Sequence, residues 1–189
     1  MSEFTLTARS PFGGVELEFD GVALREVTGM AILSIATPLG NDEALAKAVK
    51  SAYGIARPEV GHSVASKADN TRFLGLAHDQ MFLIFDDPGG DPHSEVSEKF
   101  SDSAYLTDQS DSWAMIRISG PKARTSLERI CLIDLHPSAF PEGRVARTLM
   151  EHLGVIMLHE APDTFLLMSA RSYAGSFLHA VETSVRNVV

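Results

Sequence analysis

The stretch DQSDSWAMIRISGPKARTSLERIC, Asp108 to Cys131, reads as a strand that turns through Gly120-Pro121 into a basic helix. Helix starts present unpaired N–H groups and a partial positive charge that suit phosphates and carboxylates. The turn is therefore the first candidate for ligand chemistry, with Lys122 as an added cation. A phosphate loop needs several glycines and a Lys-Ser/Thr pair at fixed spacing, and a dinucleotide turn needs three glycines; this turn has one. Proline also suits the first helical position, where its missing N–H would have no partner, with Ser119 or Gly120 as the cap. Anion binding at Gly120 and simple closure of the fold both remain open at this level.

Other reactive residues are dispersed. Seven histidines, at 62, 78, 93, 136, 152, 159 and 179, form no HExxH or similar close ligand pair, so no metal site is expected. The single cysteine, Cys131, excludes a disulfide framework and falls on an apolar helical stripe with Ala123, Leu127 and Ile130, as a small core residue would. There is no GxSxG elbow, and no close pair of acids sits in an apolar setting. Asp108 and Ser110 either face a ligand or supply ordinary turn chemistry. No catalytic, cofactor-binding or metal-binding residue is assigned from these patterns.

The chain has 189 residues, 44% hydrophobic and 22% charged, with a formal net charge of -9. It can bury a sizeable core in one domain. The acidic balance gives no electrostatic support to a nucleic-acid or anionic-membrane surface. From Asp79 to Asp111 there are nine acids and one base, Lys99, whereas bases dominate from Arg117 to Arg147, a segregation that suits solvated faces or a charged docking surface. The N-terminus, MSEFTLTARSPFGG, lacks an apolar run of signal length, and the other apolar runs are strand-sized. One reduced cysteine and no visible export segment lead to the expectation of a cytoplasmic protein.

The elements that must position these residues follow from periodicity. Val15 to Phe19 alternates as an edge strand does; Ala31 to Ala36 reads as a buried strand and Asp42 to Tyr53 as a helix, with Asn41 as N-cap and Gly54 as stop. TRFLGLAHDQMFLIFD reads as a hairpin, and its run Met81 to Phe85 predicts burial on both faces. Asp86 to Asp102, rich in Pro, Gly and acids, reads as a surface loop or mobile connection. Beyond it come a strand at Trp113 to Ile118, a helix at Pro121 to Cys131, strands at Val145 to Met150, Val155 to His159 and Thr164 to Met168, and a closing helix with Tyr173, Phe177, Val181 and Val185 on its core stripe. The expectation is a single α+β domain, 1–189, of two β-α-β-β halves, about 1–86 and 103–189, with helices packed on mainly antiparallel sheet and joined by 86–102.

The last 80 or so residues carry a family resemblance. Asp108-Gln109-Ser110, Ser119-Gly120-Pro121-x-Ala123, Asp134-Leu135-His136-Pro137, Phe140-Pro141, Ala146-Arg147-Thr148, Asp163-Thr164-Phe165 and Arg171-Ser172 together resemble the gamma subunits of heterotetrameric sarcosine oxidase. The SGPKA turn and its helix are similar to the strand-turn-helix of the folate-binding aminomethyltransferases of glycine cleavage, which implies a related fold.

The resemblance implies a non-catalytic structural subunit. In that family the complex oxidatively demethylates sarcosine to glycine, forming hydrogen peroxide and 5,10-methylenetetrahydrofolate. FAD, FMN, NAD, tetrahydrofolate and zinc belong to the other subunits, and this chain is expected to pack directly on the alpha subunit, with beta and delta subunits in the same assembly. Arg9, Phe12 and Phe140 are the expected interface anchors, because they fall in irregular segments and interface cores favour aromatic and Arg side chains; Phe140 could alternatively cover the end of the preceding helix. The competing reading is a free-standing folate- or anion-binding module at the Gly120 turn.

Overall fold

The computed structural model describes residue 7 and residues 9–66, 70–87 and 89–189. Residues 1–6 and 8 of the N-terminal stretch read for a leader, and Pro88 of the acidic connection, lie outside the described residues.

Among the described residues, two antiparallel sheets stack face to face. The larger holds β1 (Glu16–Phe19), β2 (Val22–Val27), β8 (Trp113–Ser119), β11 (Thr164–Ala170), β10 (Leu153–Ala161) and β9 (Val145–Met150), in that spatial order. The smaller holds β4 (Ser63–Ala65), β5 (Arg72–Gly75), β6 (Gln80–Asp86), β3 (Met30–Ala36) and β7 (Tyr105–Asp108). Helices α1 (Asp42–Tyr53) and α2 (Pro92–Phe100) cover the outer face of the smaller sheet, and α3 (Ala123–Glu128) and α4 (Ala174–Arg186) that of the larger. Among the described residues, no helix is long and apolar enough to cross a membrane.

Side-chain alternation explains the layers. In β6, Met81, Leu83 and Phe85 turn toward α1 and α2, while Phe82 and Ile84 enter the core between the sheets. In β10 and β11, Val155, Met157, Phe165 and Leu167 face α3 and α4, and Ile156, Leu158, Leu166 and Met168 face the other sheet. Among the described residues three cores result, and strands buried on both faces read as unbroken apolar runs, as expected for Met81 to Phe85.

The halves repeat more closely than expected. Each runs strand, helix, three strands, helix: β3-α1-β4-β5-β6-α2 and β8-α3-β9-β10-β11-α4. The extra strand of the first half, β4, has only three residues, too few for a visible alternation. The halves also exchange strands: β2, ahead of β3, pairs with β8, and β7, ahead of β8, pairs with β3. A cut at 86–102 therefore does not separate two self-contained sheets.

Three local expectations need correction. The acidic connection contains α2, whose N-cap Asp91 accepts hydrogen bonds from the Ser94 N–H at 3.1 Å and hydroxyl at 2.5 Å. Pro92 stands in its first turn, and Pro92, Val96 and Phe100 are buried at i+4 steps, so a short apolar stripe outweighs a polar composition. The helix expected from Pro121 to Cys131 is only Ala123–Glu128, because residues 120–122 are held as a turn by neighbouring backbone. Tyr173 lies in a 3₁₀ turn, 53% exposed, so the buried stripe of α4 begins at Ala174 and continues through Phe177. By contrast α1 has the expected bounds; Leu45, Val49 and Tyr53 are buried, and Gly54 ends it at φ 69°. Asn41 occupies the N-cap position, but its side chain makes no capping bond.

Candidate functional site

The Gly120 turn is held by the chain itself. Gly120 donates its N–H to the Asp163 carbonyl at 3.0 Å, Lys122 donates to the Gly21 carbonyl at 3.0 Å, and Ala123 donates to the Gly120 carbonyl at 2.9 Å. These are the donors that an anion at the helix start would need. The Lys122 ammonium is also engaged, with Asp20 at 2.8 Å, and this hydrogen bond, aided by the opposite charge, holds the Asp20 carboxyl below its ordinary pKa. A helix of six residues adds little dipole. The β1–β2 turn thus sits where a ligand would sit.

Asp108 and Ser110 also serve the backbone. Asp108 Oδ1 accepts from the Ser110 N–H at 2.9 Å and hydroxyl at 2.6 Å, and Ser110 Oγ accepts from the Ile32 N–H at 3.0 Å. The serine hydroxyl continues the ladder where β7 leaves β3. Cys131 is half-buried against the core on the α3 side and forms an isolated bridge with Met150.

The histidines separate by environment. His152 and His179 border a cleft of about 410 Å³ between α4 and the β9–β10 turn, together with Ile130, Leu153 and Thr183. His62 meets the Arg144 guanidinium at 2.8 Å. His159 is buried between the rings of Phe165, at 4.6 Å, and Phe140, at 6.3 Å, and donates from Nδ1 to the Phe140 carbonyl at 2.9 Å. Its Nε2 is buried and without a partner among the described residues. Sequence reading did not single out His159, because its burial depends on the 131–144 loop folding over β10. Among the described residues, no three His, Cys, Asp or Glu side chains gather as metal ligands.

The expected interface anchors do not lie together on the surface. Phe12 and Phe140 are 8% and 4% exposed and belong to the core under α3 and α4. Their surface placement is corrected: apolar side chains in irregular segments found the nearest apolar layer, and Phe140 stacks on His159. Arg9 is exposed, and its carbonyl accepts from Arg171 at 2.7 Å. The large apolar side chains left most exposed include Leu39, at 104%, Leu132, at 72%, and Tyr105, at 68%.

Polar groups also bridge the sheets at their margins. Arg147 of β9 donates to Gln80 of β6 at 2.8 Å and lies over the Phe82 ring at 5.5 Å; Gln80 in turn donates to Ser34 at 3.0 Å. Within the larger sheet, Arg117 forms a bidentate pair with Glu160 at 2.5 and 3.0 Å, which raises the arginine pKa against the opposing effect of burial.

Residues 39–185 match the family model described as "Sarcosine oxidase, gamma subunit family". The chain belongs to that family. A sarcosine oxidase gamma subunit from an Arthrobacter species is 27% identical over 64% of this chain and 60% of its own length, so this chain spans less than two thirds of that relative. The gamma subunit from Corynebacterium sp. strain P-1 is 27% identical over 84% of this chain and 77% of its own length. Among solved structures, a chain of heterotetrameric sarcosine oxidase from Corynebacterium sp. U-96 matches with a TM-score of 0.81 at 22% identity, covering 96% of both chains. The glycine cleavage aminomethyltransferase T of Bartonella henselae matches with a TM-score of 0.65 at 14% identity, over 85% of this chain and 45% of that one. The gamma family and the aminomethyltransferase thus share this α+β fold, as the SGPKA turn implied.

Proposed function

We propose that the chain is the gamma subunit of a heterotetrameric, flavin-dependent sarcosine oxidase, a structural and assembly component rather than a catalytic one. It packs directly on the alpha subunit, in a complex that also contains beta and delta subunits. That complex oxidises sarcosine to glycine in the cytoplasm, releases hydrogen peroxide and passes the one-carbon unit to tetrahydrofolate. FAD, FMN, NAD, tetrahydrofolate and zinc are held by the partner chains. The observation that carries this reading is the family match across residues 39–185. The engaged donors of the Gly120 turn support it over a free-standing anion-binding module, because that site's own N–H groups are consumed inside the chain. Of the three anchors chosen from the sequence, Arg9 is the exposed one.

The test is co-expression of the tagged chain with candidate alpha, beta and delta subunits. Capture of a yellow complex that forms peroxide from sarcosine is the expected result. A colourless chain recovered alone, with the candidate partners soluble in the same lysate, would overturn it.

A further inference from the structure

We propose that the outer edge of β7 is a docking edge to which a partner subunit adds a short, basic, extended strand. The inference rests on the subunit reading above and goes beyond it by naming the surface and the form of the contact.

The two sheets supply the template, because they agree in register as well as in strand order. Ala36 pairs with Gln80 on one side and Tyr105 on the other, as Ser119 pairs with Thr164 and Ala23. One strand further out, Ala23 pairs with Glu18 of β1 and Leu24 with Leu17. Among the described residues, no strand occupies the corresponding place beside Tyr105 and Leu106, and β7 ends the smaller sheet.

The turns after β3 and β8 repeat the same contrast. Thr37 donates its N–H to the Asp79 carbonyl at 2.8 Å, as Gly120 does to Asp163, and a proline follows in each, Pro38 and Pro121. The next residue in the larger sheet's turn, Lys122, is covered by the β1–β2 turn at Gly21. Its counterpart, Leu39, is fully exposed at 104%, and Tyr105 is 68% exposed. An added strand with a turn at its end, placed like β1, would cover both.

The backbone of β7 is suited to such an addition. Gln109 donates to the Ile32 carbonyl at 2.8 Å, so alternation directs the groups of Tyr105 and Thr107 toward β3 and those of Leu106 and Asp108 outward. Sheet edges exposed to water are usually blunted with Lys, Pro or a bulge. β7, Tyr-Leu-Thr-Asp, has no Lys or Pro, and its pairing with β3 is regular. Asp102 and Asp108 are exposed at its two ends, within the stretch that carries nine acids and one base, so the complementary strand is basic. The occupant is a strand of about β1's length, with Lys or Arg near Asp108 and an apolar residue over Leu39 and Tyr105.

Amide hydrogen exchange, resolved by residue in the free chain and in the assembled complex, tests this. The amides of Leu106 and Asp108 should exchange roughly tenfold or more slowly in the complex, while those of Tyr105 and Thr107, already in the ladder, change little. Leu39→Asp should weaken capture of the partners without lowering the melting temperature of the free chain. A complex that forms with Leu106 and Asp108 exchanging as in the free chain would overturn the proposal and leave the subunit reading intact. Protection that grows with the concentration of the free chain would assign the edge to a second copy and also overturn it. If no complex forms under any co-expression, the subunit reading fails and takes this proposal with it.

Discussion

A Cβ atom built on Gly120 would stand 2.5 Å from the carbonyl oxygen of Gly21, 99 residues away in sequence. Gly120 also has φ +116°, a backbone region that side chains other than glycine rarely enter. Gly120→Ala therefore meets both a steric clash and a conformational penalty. We expect it to lower the unfolding free energy by about 2–4 kcal/mol. Urea denaturation at neutral pH measures this, and an unchanged midpoint would show that the β1–β2 turn is not pressed against Gly120.

The competing folate or anion reading gives a second prediction. Because the N–H groups of Gly120 and Lys122 are bonded to Asp163 and Gly21, the isolated chain should show no saturable binding of tetrahydrofolate or inorganic phosphate at that turn. Isothermal titration of the isolated chain is the measurement. One-to-one binding that Lys122→Ala abolishes would restore the binding-module reading.

His159 allows packing and hydrogen bonding to be separated. His159→Ala removes a ring held between Phe140 and Phe165 and should cost about 3 kcal/mol. His159→Phe refills the space and loses only the bond to the Phe140 carbonyl, a cost of about 1 kcal/mol. Equal losses in the two variants, read from urea midpoints, would contradict the sandwiched geometry.

Helix α2 should respond to acid. The Asp91 carboxyl is held below its ordinary pKa of 3.8, first by the Ser94 hydroxyl and then by the Ser94 backbone N–H. A lowered folded-state pKa means that the contribution is fully present above the unfolded value and is lost as pH falls through the folded one. Exchange protection of the first turn of α2 should therefore decline below about pH 4. In Asp91→Ala that protection should be weaker at neutral pH and flat across the same range. An identical acid response in the variant would assign it to another group.

Elements that carry their own periodicity were legible in the sequence. α1 announces itself through Leu45, Val49 and Tyr53 and its glycine stop, and β6 through five consecutive apolar residues. What escaped depends on contacts distant in sequence. α2 is a nine-residue helix whose stripe of Pro92, Val96 and Phe100 is spread among polar residues. β4 is three residues long, and its strand character comes from pairing with β5. The strand exchange between β2 and β7 has no local signature, since each strand alternates in the same way whichever sheet receives it. For the same reason Phe12 and Phe140 read as surface residues: nothing nearby in sequence shows that β10, β11 and α4 form a core beneath them.

The exchanged strands also constrain how the chain folds as it is synthesised. The β1–β2 hairpin leaves the ribosome early, but its neighbour β8 begins only at Trp113, roughly ninety residues after Val22. At ordinary rates of translation the hairpin would wait about 5–18 s with one edge unpaired. The smaller sheet likewise gains its last strand only when Tyr105 to Asp108 has emerged. Neither half can close before the other has begun, so folding is committed late and over the whole length. A truncated or stalled chain would expose an unpaired strand edge and unfinished core, the features that chaperones and proteases recognise.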